Sequence, residues 1–175
     1  GVRLLRFRSI LSPATGKPIV APTLDMVFGA FYLTSVREGA KGEGRVFGQI
    51  HEAEAAYVIG DLHLQASITF RNRVGKFAAL ENQDPATQKD GFGPWTTTFG
   101  RLLFNETLPP DKDYVNEVVG KKALPIARII EDIAINEPKA VVAETLDRVK
   151  ALCVRYATQA GLTLSMQHVN DTPQK

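Results

Sequence analysis

The sequence predicts an α+β fold, with mixed short strands and helices first and a mostly helical segment after them. Three observations predict it. The stretch LHLQASITFR alternates Leu62, Leu64, Ala66, Ile68 and Phe70 with His63, Gln65, Ser67, Thr69 and Arg71. That is the period-2 pattern of a strand with one buried and one wet face. Further on the period changes to that of a helix, with Ile126, Ile129, Ile130 and Ile133 on one stripe and Val142, Leu146, Val149 and Leu152 on the next. Strand and loop signals are concentrated in residues 1–120, while 121–175 read as mostly helical, and this sets the expected boundary.

Each element has a local reason. APTLDMVFGAFYLTS reads as a helix: Pro22 and Thr23 open it, Asp25 suits its first turn, and Leu24, Val27, Phe28 and Phe31 form one apolar face. Val36 to Arg45, VREGAKGEGR, is glycine-rich and charged and reads as a loop. HEAEAAYVIGD is a short helix that Gly60 ends in a left-handed conformation. The alternating strand follows, and then the long polar loop ALENQDPATQKDGFGPW. Two helices, roughly Lys122–Ile135 and Lys139–Leu152, are separated by Glu137-Pro138. A last helical piece, VRYATQA, stops at Gly161, and LTLS reads as a short strand.

Bulk properties exclude several function classes. With 175 residues, 44% of them hydrophobic and 23% charged, the chain can bury a core. A formal net charge of +2 is too small to argue for nucleic-acid binding through bulk electrostatics. The single cysteine, Cys153, forbids an internal disulfide, and its setting in VKALCVRYA reads as a buried, inert thiol. No apolar run approaches a membrane span. The opening GVRLLRFRSILSP has neither the long apolar run nor the small-residue cleavage site of a signal peptide, so a reducing cytoplasm is expected.

Catalytic motifs are not found by pattern alone. GAKGEGR has glycines but not the Gly-Lys-Ser/Thr ending of a phosphate loop. His51, His63 and His168 have no ligand spacing, and His63 falls on the wet face of its strand. Asp111 and Asp113, two residues apart after Pro-Pro, read as a solvated turn rather than a magnesium site.

The order of the fragments carries more. ILSPATGKPIVAPTLDMVFGAFYLTS resembles a segment of the largest catalytic subunit of bacterial multisubunit RNA polymerase, beta-prime. That family reads Leu-Ser-Pro-Ala-x-Gly-x-Pro, then Pro-x-x-Asp-Met-Val-x-Gly-x-Tyr-Tyr-Leu-Thr. Leu11, Ser12, Pro13, Ala14, Gly16, Pro18, Pro22, Asp25, Met26, Val27, Gly29, Tyr32, Leu33 and Thr34 match it. AKGEG, TTTFGRLLFNETLP, YVNEVVGKKAL and DRVKALCVRYATQAGLTLSM follow in the family's order. Five blocks in one order over nearly the whole chain are specific where no single block would be.

The resemblance implies a pore-like region over 1–120 and the start of a funnel-like helical region over 121–175. Together these wall the secondary channel, through which nucleoside triphosphates enter and backtracked RNA 3′ ends leave. Thr96 to Arg101 is then expected as a strand and Leu102 to Leu108 as a turn, with Arg101 a packing residue. The family's magnesium motif, Asn-Ala-Asp-Phe-Asp-Gly-Asp, lies upstream of these blocks and is not in this sequence. Magnesium is therefore expected in the full polymerase, outside this segment, because two-metal nucleotidyl transfer needs those carboxylates. The implied partners are the beta, alpha and omega subunits and sigma factor, with template DNA, nascent RNA and nucleotides reached through the full complex and no membrane. Leu24, Asp25 and Gln159 are the implied channel positions. The family usually has Gln where Leu24 stands and Arg where Gln159 stands. A stand-alone, non-catalytic binding or regulatory module with the pore fold is the alternative. An unrelated metabolic enzyme has no supporting site.

Overall fold

The computed structural model describes residues 22–72, 74–80, 95–120 and 124–170. The opening segment, the Leu-Ser-Pro-Ala motif and most of the polar loop after Leu80 lie outside them. The architecture is α+β and divides into two compact units, one of Gly1–Tyr32 with Val119–Lys175, the other of Leu33–Val118.

The first helix, α1, spans Leu24–Thr34. Its opening is held by the Thr23 hydroxyl, which accepts the Met26 N–H at 3.3 Å. Met26, Ala30 and Leu33 are its buried hydrophobic residues. The face expected to be apolar is so, but it points outward: Leu24 is 87% exposed, Phe28 43% and Phe31 51%. The helix buries the side on which Gly29 and Ala30 permit close backbone approach instead.

The unit Leu33–Val118 is built on a three-stranded sheet. Strand β1 is Val46–Phe47, β2 is Ser67–Phe70 and β3 is Thr96–Thr98, in the order β1-β2-β3. β1 and β2 are parallel, with Val46 opposite Thr69; β2 and β3 are antiparallel, with Ile68 opposite Thr97. Helix α2, Ile50–Val58, starts where the Glu52 carboxylate accepts the N–H groups of Gly48 and Gln49 at 2.8 and 3.2 Å. Those two bonds hold its carboxyl below the usual range. The helix ends as the sequence predicts. Gly60 adopts φ +81°, Asp61 N–H donates to Ala56 O at 2.8 Å and Gly60 N–H to Tyr57 O at 3.1 Å. That is the paired carbonyl capture of a Schellman end.

The alternating stretch is buried as expected at Leu62, Leu64, Ala66, Ile68 and Phe70, but only its second half is strand. Residues 61–66 turn instead, closed by Ala66 N–H on His63 O at 3.1 Å. Gln65 is buried and His63 half-buried, so neither sits on a wet face. Past a 3₁₀ turn at Gly75–Leu80, the strand expected over Thr96–Arg101 stops at Thr98, and α3 runs Phe99–Thr107 where a turn was expected. The Thr98 hydroxyl, accepting Arg101 N–H at 3.1 Å, caps that helix and makes the switch. Phe70 meets Phe77 edge-on and Phe77 meets Tyr114 at a tilt, with ring centroids 5.3 and 5.7 Å apart.

In the other unit, β4 (Val119–Gly120) and β5 (Leu124–Pro125) form a short parallel pair leading into α4, Ile126–Asn136. Helix α5 is Lys139–Asn170. Pro138 separates the two as predicted, its carbonyl accepting Val142 N–H at 3.0 Å. Ile126, Ile129, Ile130 and Ile133 are buried, and α4 packs on α5. On α5 the buried stripe is Val142, Val149, Cys153, Tyr156 and Ala160; Leu146 and Leu152 are only half-buried. Gly161 does not end this helix, and LTLS continues it rather than forming a strand. Gly161 lacks a positive φ, so the local signal for a stop is not realised there.

Candidate functional site

Two surfaces of chemistry emerge, one polar and buried, one apolar and exposed. The buried one lies in the unit Leu33–Val118, around Arg101. Its guanidinium is fully enclosed; Nε donates to Thr34 O at 2.9 Å and a terminal nitrogen to Asn116 O at 2.8 Å. Asn116 in turn donates to Thr96 O at 2.9 Å, and its Oδ1 accepts the Thr97 hydroxyl at 2.9 Å. Thr97 also bonds the Tyr114 hydroxyl at 2.7 Å. Burial pushes the Tyr114 phenol well above its ordinary value, so it stays protonated.

Asn105, one turn on from Arg101, reads the backbone of Val115 in both directions. Its Nδ2 donates to Val115 O at 2.8 Å and its Oδ1 accepts Val115 N–H at 2.7 Å. Lys76 closes the end of α3, its ammonium donating to the carbonyls of Asn105, Leu108 and Pro109 at 2.7, 2.9 and 3.0 Å. Burial lowers the Lys76 ammonium below its usual range, with Glu106 nearby acting in the opposite sense. A guanidinium and an ammonium aimed at main-chain carbonyls are structural groups: they satisfy buried acceptors and offer no proton to a substrate. Arg101 therefore packs and pairs with backbone, as its place in the motif implied. Lys76 and Asn116 gave no comparable signal in the sequence, because their partners lie 15 to 33 residues away.

No group of three or more His, Cys, Asp or Glu side chains among the described residues is placed to hold a metal. Asp111 and Asp113 are exposed in the turn after Pro110. Cys153 is buried, and burial pushes its thiol up to about 12. That leaves it a core residue and not a nucleophile at neutral pH.

The exposed surface lies on α1 and includes two of the positions that the resemblance singles out, Leu24 and Asp25. Leu24 and Asp25 share the first turn of α1, both exposed. Leu24, Phe28 and Phe31 follow at intervals of four and three, so they form one outward stripe. Gln159 is half-buried on α5, six residues beyond Cys153. The two helices touch where Gly29 meets the Cys153 backbone: a Cβ on Gly29 would overlap the Cys153 carbonyl oxygen. Leu24 lies five residues before that crossing on α1. Gly120 makes room for Phe31, whose Cδ2 would stand 3.3 Å from an added Cβ.

Comparison with known proteins identifies the family. The family model RNA polymerase Rpb1, domain 3, matches residues 9–169. DNA-directed RNA polymerase subunit beta' of Thermobifida fusca is 43% identical over 176 residues, covering 99% of this chain and 13% of that protein. The subunit of the same name from Acidothermus cellulolyticus is 40% identical over 188 residues, covering 99% and 14%. That from Streptomyces coelicolor is 42% identical over 177 residues, covering 96% and 14%. The chain thus spans about one seventh of the length of these curated relatives.

Proposed function

The chain belongs to the RNA polymerase Rpb1 domain 3 family, and from that premise we propose that it serves as a non-catalytic wall segment of a DNA-directed RNA polymerase beta-prime subunit. The observation that carries this reading is the breadth of the match. Identity of 40–43% runs over nearly the whole chain, and the aligned region is a small share of each relative. Residues 1–120 form the pore-like region and 121–175 the start of the funnel-like region. The segment lines the secondary channel, where nucleotides enter and backtracked RNA exits. The assembly is cytoplasmic and includes the beta, alpha and omega subunits and sigma factor, acting on template DNA and nascent RNA.

Among the described residues no set of carboxylates fits the catalytic magnesium, and Asp111 and Asp113 stand in a solvent-exposed turn. The chain's contribution in this reading is positional: a polar core holds one unit, and the α1 and α5 positions Leu24, Asp25 and Gln159 face incoming triphosphate.

Affinity capture of a tagged protein that carries this segment tests the reading. The second large polymerase subunit is expected to co-purify in stoichiometric amount. Recovery as a stable monomer with no polymerase subunit would support the stand-alone binding module instead.

A further inference from the structure

The turn at 61–66 contains a contact that depends on a proton. His63 Nδ1 accepts the Gln65 N–H at 3.1 Å, a bond open only to a ring whose Nδ1 is bare. The backbone around it ties the glycine-rich turn to the start of β2. His63 N–H donates to Lys41 O at 2.8 Å, Arg37 N–H to Gln65 O at 2.9 Å, and Gly44 N–H to Ser67 O at 2.8 Å. Leu62, Leu64, Gln65 and Ala66 are buried, so water does not readily replace a bond lost here. The charged groups of the facing segments are Arg37, Glu38, Lys41, Glu43 and Asp61. Arg37 acts on the ring, Lys41 pairs with Asp61 at 3.2 Å, and Glu43 accepts the Gly39 N–H at 2.5 Å.

We propose that His63 is a proton-released latch, which when neutral pins residues 37–44 to residues 62–67 and when protonated lets that turn open. A protonated Nδ1 would set donor against donor at the Gln65 N–H. The ring must then rotate away, the buried N–H loses its acceptor, and the adjoining bond from Arg37 loosens with it. Burial first, and the positive charge of Arg37 second, both hold the imidazolium below its ordinary value. The neutral ring is therefore the form the fold prefers. The latch is fully closed above about pH 6.5 and weakens as pH falls from there toward the folded-state value. This inference does not depend on the polymerase reading.

Amide hydrogen exchange by NMR on the full 175-residue chain, taken from about pH 7.5 down to about pH 5, tests it across the histidine range. Protection factors at Arg37, His63 and Gln65 are expected to fall together, tracking the titration of the His63 ring. The fall should be roughly tenfold for each unit between the ordinary and folded-state values. His63→Asn supplies a side-chain oxygen for the same short-range turn with nothing to titrate, so it should keep the protection and lose its pH dependence. His51→Gln should leave the wild-type behaviour unchanged. Flat protection in the wild-type chain, or an undiminished pH dependence in His63→Asn, overturns the latch.

Discussion

Arg101 shows how much depends on single side chains. Its guanidinium replaces water for main-chain carbonyls of Thr34 and Asn116 that come from distant parts of the chain. Arg101→Met would keep the apolar stem and remove the guanidinium donors from those two carbonyls. Charge-assisted bonds and orphaned buried groups of this kind are worth about 1.5–3 kcal/mol each, so a loss of about 3 kcal/mol is expected. Denaturant unfolding measures it; a change under about 0.5 kcal/mol, the level of an ordinary surface substitution, would show that the network is dispensable. Gly29 is sensitive for a steric reason. In an isolated helix Gly→Ala would gain about 1 kcal/mol, but here the added methyl meets the Cys153 backbone, which cannot swing aside as a side chain can. Overpacking costs about 1–3 kcal/mol, so Gly29→Ala should lower the melting temperature rather than raise it.

At the scale of elements, the α5 helix separates two readings of one residue. Gly161 in the sequence looks like a helix stop, yet it lies inside a continuous helix with open space around its Cα. Gly161→Ala should therefore stabilise, by about 0.5–1 kcal/mol, and increase the far-ultraviolet helical signal. A destabilised variant would restore the terminating glycine. The α1 helix makes a different prediction. Its outward Leu24, Phe28 and Phe31 form a stripe of apolar surface of the kind that marks an interface. The isolated chain is expected to self-associate through it, and Leu24→Gln with Phe28→Gln should shift sedimentation toward the monomer. Phe31 is better left alone, because it also packs on Gly120. A wild-type chain that is monomeric at every concentration would remove the basis for this. The isoleucine stripe around Ile129 adds nothing to that surface, since α4 buries it within the chain.

For the whole molecule, the proposed role is tested through nucleotide supply. On the resemblance, Leu24 and Gln159 stand where the family usually has Gln and Arg. An arginine can fork two charge-assisted bonds to phosphate, and Gln159 keeps donors without the charge. In a complete polymerase carrying this segment, restoring Leu24→Gln and Gln159→Arg together should lower the apparent KM for nucleotides. One good charged hydrogen bond, about 1.5 kcal/mol, corresponds to roughly a tenfold change, with kcat little altered. Elongation at limiting nucleotide that does not improve over the unrestored graft would take these two positions out of the entry path.

What the sequence determined by itself was whatever depends on neighbours in the chain and on the order of motifs. The Gly60 stop, the Pro138 break, the α4 stripe and the buried alternation from Leu62 to Phe70 are local, set by backbone freedom, a missing N–H and side-chain period. The motif series was legible for the same reason, as five blocks in one order. Only the tertiary structure decided which face of α1 is inside, because an apolar stripe marks a surface to be covered without saying what covers it. It also decided that Thr98 starts a helix and that Gly161 does not end one, since packing overrides propensities of about 1 kcal/mol. Lys76, Asn116 and the His63 turn acquire meaning only when residues far apart in sequence supply their carbonyls and amides, and that long-range pairing is the physical information a linear pattern does not contain.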